Sequence, residues 1–406
     1  MRGGGSASGD ADVMLRRAAA GPAAALDAAV EEGLVPVVAA GAATRDGVRF
    51  EGACGGAATD SLFWVAMMTE LATAVLALAL VEDGVLPLHG PLGALLPELA
   101  SPQVLEGFSR AGEPILRPAT RPVTLHQLLT HTAGVGYEFW DATLLRFRRD
   151  TGTPSVLEHR LAGLGLPLVF DPGQRWLYGM SGDWVGRAVE AATGRTLAEA
   201  MAERVLRPLG MADTGFAPGD GQAARLVPTR RRSAEGAGLA EEPCPAGLPV
   251  GEDAYRSGGS GLFSTVGDML RLTRMLLGRG ELDGARVLRA DTVRAMATHQ
   301  IGGLRPAVLP APWPEMSCAV ALPSGEPGWG IGGLVDVAPC PGGRGVGTLS
   351  WGGISNTFFW VDAARGVCGV LLAPLLPFAD PGALAASRSF EAAVYAALPG
   401  WEARQG

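Results

Sequence analysis

Residues 63–82 read FWVAMMTELATAVLALALVE, a run in which almost every side chain is apolar. Its length and composition predict a mostly buried helix from Ala66 to Asp83, entered through the short apolar segment Leu62 to Val65. The most apolar part, Leu71 to Val81, is too short to span a bilayer. We therefore expect a core helix that carries one acidic residue, Glu70, close to its start.

The segments on either side of this helix predict strands and helices in a definite order. Before it, an amphipathic helix from Val13 to Glu32 precedes two strands, Val35 to Ala43 and Val48 to Cys54. After it, apolar periodicity predicts further helices, followed by three strands and a closing helix. The predicted later helices are 125–129, 181–193, 197–206, 266–277, 290–298 and 381–398, and the predicted later strands are 346–351, 358–362 and 367–373.

This order of elements predicts an α/β (α+β) fold. An antiparallel sheet flanked by helices would be formed by both ends of the chain, and an all-helical domain would be inserted between them. The predicted boundaries are a flexible leader at 1–10, a discontinuous sheet domain at 11–65 and 255–402, and a mainly helical insertion at 66–254. A ligand site is expected between the two parts, because clefts at domain junctions usually bind ligands.

Composition excludes several classes of partner. The net charge of −8 argues against nucleic acid and against an anionic membrane, and it favours a small-molecule substrate. The cysteines show no C-x-x-C pair and the histidines no metal spacing, so neither a metal nor a cofactor is expected. The first ten residues lack the apolar core of a signal peptide, which favours a cytoplasmic setting. The abundance of alanine, glycine and arginine is typical of a GC-rich bacterial genome.

Five further segments occur in an order that resembles a known family. They are FWVAMMTE at 63–70, LHQLLTHTAG at 125–134, DPG with WLY at 171–178, RPLGM at 207–211 and SWGG at 350–353. Together they resemble the serine β-lactamase and penicillin-binding protein superfamily, on its class C β-lactamase, esterase and acyltransferase branch. The fifth segment, which matches the family's third motif, has Trp-Gly-Gly instead of Lys-Thr-Gly. This favours the esterase branch, and penicillin hydrolysis is not expected.

The resemblance implies that the residues for covalent catalysis have been replaced. In the family, a Ser-x-x-Lys pair at the start of the buried helix supplies the nucleophile and its base, and a tyrosine transfers protons. The matching positions here are Met67, Glu70 and Tyr178, so that only the tyrosine is kept. The chain has 33 arginines and no lysine, and arginine cannot replace lysine as a base.

Glu70 and Tyr178 are therefore the candidate catalytic residues, as a general acid and base. The family's oxyanion hole uses backbone N–H groups, which here would belong to Met67 and to a residue just after Gly353, and backbone donors survive side-chain replacement. The candidate substrate-binding residues are Met67, Trp351, Gly352, Gly353, Tyr137 and Met180. Trp64 and three aromatic residues after Gly134, namely Tyr137, Phe139 and Trp140, are expected at the rim of the cleft.

Three hypotheses follow. The preferred one is an enzyme of specialised metabolism that transforms a small molecule by isomerisation, elimination, cyclisation or direct hydrolysis, without a covalent intermediate. The second is a binding protein that kept the fold and lost the chemistry. The third is a hydrolase with a relocated nucleophile, for which Ser181 is a better candidate than Ser61 or Cys54. Thr69 is expected to point away from the cleft, because it lies roughly 200° around the helix from Met67.

Overall fold

The structure is a computed structural model that describes residues 20–233, 238–242, 253–322, 327–339 and 343–403. The predicted leader at 1–10, the first residues of the predicted amphipathic helix, Cys244 and Cys340 lie outside the described residues. Of the other cysteines, Cys54, Cys318 and Cys368 are free thiols.

The central element is a seven-stranded antiparallel sheet to which both ends of the chain contribute. In this sheet β1 (Val38–Thr44) pairs on one side with β2 (Gly47–Cys54), its neighbour in sequence. On the other side it pairs with β15 (Val367–Leu372), near the end of the chain. The predicted fold class is therefore confirmed. From one edge to the other the strands are β11 (Gly328–Trp329), β12 (Leu334–Val335), β13 (Leu349–Gly353), β14 (Thr357–Asp362), β15 (Val367–Leu372), β1 (Val38–Thr44) and β2 (Gly47–Cys54).

Short strands form four smaller sheets elsewhere in the described residues. They connect loops and do not extend the central sheet. They are β3 (Phe63–Trp64) with β8 (Phe263–Ser264), β4 (Gln103–Phe108) with β5 (Pro114–Pro118), β9 (Glu281–Leu282) with β10 (Ala285–Arg286), and β6 (Thr229–Arg232) between β7 (Leu239–Glu242) and β16 (Leu375–Leu376).

The helices fall into a group that covers the sheet and a group in the insertion. They are α1 (Pro22–Glu31), α2 (Thr69–Glu82), α3 (Leu125–Leu129), α4 (Ala142–Thr151), α5 (Ser181–Thr193), α6 (Leu197–Met201), α7 (Arg207–Leu209), α8 (Val266–Leu277), α9 (Ala290–Met296) and α10 (Pro381–Glu402). One face of the sheet packs against α8, and the other packs against α1 and α10. Both faces are covered, which explains why every residue of β1 is buried.

The insertion is mainly helical, as predicted, but it is not purely helical. It also carries the hairpin of β4 and β5 and the strands β6 and β7. The hairpin is hard to predict from the amino-acid pattern, because its second strand, PILRP, begins and ends with proline and does not alternate between apolar and polar residues. The segment 215–259 is polar and rich in proline, which is typical of a surface loop, yet it holds β6 and β7 within its described part.

Helix α2 passes through the middle of the molecule and links the insertion to the sheet. Its first twelve residues are all buried, so the uniformly apolar sequence reflects contacts on every side of the helix. It packs against α5 and α6 in the insertion, and the short 3₁₀ turn Ala66–Met68 before it packs against β13 and β14. No helix in the described part of the chain is long and apolar enough to cross a membrane.

Candidate active site

The site forms where the chain enters α2 beside the end of β13. Ala66 adopts a left-handed conformation (φ 48°), which turns the backbone so that Met67 faces the strand. The strand approaches so closely that a Cβ on Gly353 would lie 2.8 Å from the Met67 backbone nitrogen and 2.6 Å from the Val65 carbonyl oxygen. This contact requires glycine at 353 and fixes Met67 against the sheet.

The Met67 side chain occupies the place where the family stabilises an oxyanion. Its thioether sulfur accepts a hydrogen bond from the backbone N–H of Ile354, at 3.3 Å. Ile354 is the residue directly after Gly353, and its N–H is the donor that the resemblance implies. This donor is therefore present, but the Met67 sulfur occupies it. Thioether sulfur is a weak acceptor, so a carbonyl oxygen would bind this N–H more strongly.

Glu70, Tyr178 and His131 form a hydrogen-bonded group on the helix side of the site. The Tyr178 hydroxyl donates to Glu70 Oε2 at 2.8 Å, and His131 Nε2 lies 3.5 Å from the same oxygen. His131 Nδ1 accepts from the Gly179 backbone N–H at 3.3 Å, which places the proton of a neutral ring on Nε2, facing the carboxylate. Glu70 Oε1 has no hydrogen-bond partner among the described residues. One carboxylate oxygen is thus held by neighbouring groups, and the other is buried without a donor among the described residues.

Local structure explains how His131 reaches this position. The short helix α3 begins with a capping box in which Thr124 and Gln127 satisfy each other's backbone N–H groups. Just beyond its end, His131 itself is left-handed (φ 53°), which directs the ring toward Tyr178, with ring centroids 4.4 Å apart. From sequence alone His131 is interpreted as a structural residue, because its position in a loop does not indicate this contact.

The surroundings of Tyr178 keep its hydroxyl protonated. Burial raises the pKa of this phenol well above its ordinary value, and the negative charge of Glu70 raises it further. In the family, a lysine at position 70 would have the opposite effect on the tyrosine. Tyr178 is therefore a neutral hydrogen-bond donor to Glu70 at pH 7.

Aromatic side chains cover this polar group. The Tyr178 ring contacts Trp351 at 4.8 Å and Trp140 at 5.3 Å between centroids, and Trp329 packs against Trp351 at 4.8 Å. Tyr137 stacks on Phe139 at 4.7 Å and lies 5.7 Å from Tyr178. The residues predicted for the rim of the cleft are instead buried: Trp64, Tyr137, Phe139 and Trp140 are each at most 2% exposed.

The other predicted binding residues lie around the same place. Gly352 pairs with Phe358 between β13 and β14, next to Trp351 and Gly353, and Met180 is buried just before α5. Their contact with a substrate remains a prediction. A small cavity of about 10 Å³, the size needed by one water molecule, adjoins Glu70 and His131.

Alternative nucleophiles lack the partners that covalent catalysis requires. Thr69 points away from Met67, as expected, and its hydroxyl accepts from the Leu262 backbone N–H at 3.0 Å. The Ser181 hydroxyl is buried and has no hydrogen-bond partner among the described residues, so no base activates it there. Ser61 binds the Ala58 backbone N–H, and burial together with Asp27 raises the pKa of the Cys54 thiol to about 11.

Among the residues that the structure describes, no group of three or more histidine, cysteine, aspartate or glutamate side chains is arranged to hold a metal ion.

Removal of the Tyr178 hydroxyl should destabilise the protein, because Glu70 Oε2 would lose its closest donor in a buried place. We expect Tyr178→Phe to lower the free energy of unfolding by about 1–3 kcal/mol in urea denaturation. Tyr395→Phe is a matched control, since Tyr395 also donates to a buried carboxylate, Asp362, at 2.8 Å. Asp362 Oδ2 keeps the Gly345 N–H, so the control should lose less. Equal losses would show that the Tyr178–Glu70 hydrogen bond contributes no more to stability than the Tyr395–Asp362 hydrogen bond.

Comparison with known proteins agrees with this architecture. The model of the family described as "Beta-lactamase" matches residues 23–393. The chain belongs to the β-lactamase family. Lovastatin esterase of Penicillium rubens is 33% identical over 356 residues, covering 85% of this chain and 88% of that protein. Monacolin J acid methylbutanoyltransferase of Aspergillus terreus is 32% identical over 348 residues, covering 82% of this chain and 81% of the relative.

Solved structures give the same result. Unliganded simvastatin synthase (LovD) from Aspergillus terreus superposes with a TM-score of 0.73 at 27% identity, covering 92% of this chain and 96% of that chain. EstCE1, a hydrolase with promiscuous acyltransferase activity, has a TM-score of 0.71 at 21% identity, covering 95% and 99%, which shows the shared fold. The family and its esterase and acyltransferase branch, predicted from five short segments, are thereby confirmed.

Proposed function

We propose that this β-lactamase family member is an enzyme of specialised metabolism that acts on a small, largely apolar molecule without forming an acyl-enzyme. The observation that carries the proposal is the hydrogen bond from Tyr178 to Glu70 Oε2, with Glu70 Oε1 left without a partner. A carboxylate held in this way, among apolar rings and at the position of the family's catalytic lysine, is suited to accept a proton from a bound substrate.

In the proposed reaction, Glu70 removes a proton from a carbon next to a carbonyl, or from a water molecule that attacks it. In the first case the electron pair of the C–H bond forms the enolate. In the second, the water oxygen bonds to the carbonyl carbon, and when the intermediate collapses the leaving alkoxide takes the proton from Glu70. In both cases negative charge develops on the carbonyl oxygen. The Ile354 N–H stabilises that charge once the carbonyl oxygen has displaced the Met67 sulfur. Tyr178 remains protonated and holds Glu70 in position.

The relatives favour an ester or a related acyl compound as the substrate. Their names describe an esterase and an acyltransferase, reactions in which a carbonyl is the reacting group. The buried aromatic and methionine side chains around Tyr178 favour an apolar molecule. Isomerisation, elimination, cyclisation and direct hydrolysis all remain compatible with such a substrate.

A second candidate function is ligand binding without chemistry. It is favoured by the bond between Met67 and Ile354, since the side chain that replaced the nucleophile also occupies the oxyanion donor. Tyr178 and Met67 are at most 1% exposed, so a ligand must displace side chains before it reaches either. A binding protein would tolerate this arrangement more easily than an enzyme.

Incubation with lovastatin and with p-nitrophenyl butyrate tests the proposal, with product and intact protein mass both recorded. We expect product from at least one ester, no mass adduct on the protein, and at least about tenfold slower turnover in Glu70→Gln. Glu98→Gln, an exposed glutamate, is the control and should retain the wild-type rate. A ligand that raises the melting temperature yet gives no product would support binding alone. A covalent adduct, or an unchanged rate in Glu70→Gln, would refute the proposed mechanism.

A further inference from the structure

A second buried carboxyl group lies one layer behind the candidate site. Asp183, in the first turn of α5, is 1% exposed. Its Oδ1 accepts from the Ser257 hydroxyl at 2.5 Å and from the Gly259 backbone N–H at 3.3 Å. Its Oδ2 has no hydrogen-bond partner among the described residues. The two oxygens therefore differ sharply in how well they are satisfied.

The hydrogen bonds of Asp183 continue into a chain of neutral groups. Ser257 also contacts the Ser260 hydroxyl at 3.1 Å, and Ser260 lies 3.2 Å from His159 Nε2. Burial lowers the pKa of His159 to about 4, with a smaller contribution from the positive charge of Arg256, so the ring is neutral at pH 7. This chain brings no positive charge to Asp183, and none of the described arginines forms an ion pair with it.

Only glycine backbone separates Asp183 from Glu70. A Cβ on Gly182 would lie 2.8 Å from Glu70 Cγ and 2.9 Å from Gly259 Cα. A Cβ on Gly259 would lie 2.6 Å from Asp183 Oδ2 and 3.1 Å from the Tyr137 hydroxyl. Two carboxyl groups thus share a buried region in which the packing leaves no room for a cationic side chain between them.

We propose that Asp183 and Glu70 are a coupled pair of carboxyl groups in which Asp183 holds a proton on Oδ2 and Glu70 carries the negative charge. Asp183 Oδ2 and Glu70 Oε1 both lack a hydrogen-bond partner among the described residues, so ionisation of both groups would bury two poorly compensated charges in one region, which is strongly unfavourable. A proton on Asp183 Oδ2 removes one of these charges and the repulsion between them. Glu70 keeps its charge because its Oε2 accepts from Tyr178 and faces His131 Nε2. Asp183 is then a positioning residue that acts through Glu70, because it leaves Glu70 as the one charged group of the pair.

The electrostatic surroundings agree with this geometry. Burial raises the pKa of Asp183 to about 7, and Glu70 adds to the rise, while Ser257, the Gly259 N–H and the Tyr255 hydroxyl oppose it. The titratable groups that face this region from other elements are Tyr137, Tyr178, Tyr255 and His159, besides Glu70 itself. Burial also raises the pKa of all three tyrosines, so that at pH 7 they are neutral as well.

The coupling has a consequence for the proposed reaction. When Glu70 takes a proton from the substrate, the repulsion that keeps Asp183 protonated disappears, and the Asp183 proton becomes easier to lose. This inference rests on the proposed role of Glu70 as the base. Its test uses no substrate, so it can fail while the proposed function holds, and the reverse is also true.

Infrared spectroscopy of the full chain labelled with [4-¹³C]aspartate tests the pair. The C=O stretch of a protonated carboxylic acid is separate from carboxylate bands, and the isotope label distinguishes aspartate from glutamate. We expect this band at pH 6, its loss with a midpoint near pH 7, and its absence from Asp183→Asn. In Glu70→Gln the midpoint should fall by on the order of half a pH unit, because the repelling charge is gone.

The control is Glu98→Gln, which removes an exposed carboxylate and should leave the midpoint unchanged. If Asp183→Asn does not fold, the comparison of wild type with Glu70→Gln still decides the matter. Absence of the band at pH 6 would overturn the proposal. The same midpoint in wild type and Glu70→Gln would overturn the coupling and leave Asp183 a structural residue alone.

Discussion

A variant that carries both Met67→Ser and Glu70→Lys should gain esterase activity toward p-nitrophenyl butyrate and react with a fluorophosphonate probe. The serine would stand at the start of α2 beside the Ile354 N–H, which the loss of the Met67 sulfur sets free. The lysine would take the place of Glu70, whose Oε2 lies 2.8 Å from the Tyr178 hydroxyl. Its positive charge would favour the Tyr178 phenolate, which Glu70 now disfavours. Both halves of the family's mechanism would then be present.

Met67→Ser alone is the matched control, because it supplies the nucleophile but keeps Glu70 in place of the family's lysine. We expect the double variant to exceed it by at least about 100-fold, the lower end of what a positioned base contributes. Tyr178→Phe in the double variant should remove most of the gain. Labelling of the wild-type protein would contradict the interpretation, and peptide mapping would then identify the relocated nucleophile.

Gly353→Ala should strongly destabilise the protein. The new Cβ would lie 2.6 Å from the Val65 carbonyl oxygen, 2.6 Å from the Thr357 hydroxyl and 2.8 Å from the Met67 nitrogen. Two of these atoms are backbone and none belongs to a flexible side chain, so β13 must move away from the entry to α2. We expect a loss of about 3 kcal/mol in the free energy of unfolding, at the upper end for overpacking.

Gly303→Ala is its control, since a Cβ there meets nothing within 4 Å. Urea denaturation of the two variants should show a large loss for the first and almost none for the second. Equal stability of Gly353→Ala and wild type would mean that the strand can retreat freely. The tight contact would then not hold Met67 in place.

The sequence predicted the fold well because the information was carried by long apolar patterns. The helix over residues 66–83 and the strands near both chain ends have strong periodicity, and the structure places a helix at Thr69–Glu82 and pairs β1 with β15. The hairpin of β4 and β5 was missed, since its prolines and charged residues resemble a loop. Periodicity detects buried elements and overlooks short exposed ones.

The site was predicted in part. Motif order led to Glu70 and Tyr178, and the structure brings these two into direct contact. No pattern in the sequence indicated that the Met67 sulfur would reach Ile354, because this depends on the close packing of β13 against the turn at Ala66–Met68. His131 and Asp183 were missed for a similar reason: their contacts join loops that are far apart in the sequence.

The pairing of β1 with β15 also determines when the protein can finish folding as it is synthesised. Ala39 lies opposite Leu372, and Thr44 opposite Val367, so the first long strand emerges from the ribosome far ahead of its partner. Until that partner arrives, the β1–β2 hairpin exposes an apolar edge that is prone to wrong pairing. The yield of folded protein should therefore depend on how well the cell keeps the β1–β2 hairpin from aggregating until the last strands of the sheet are synthesised.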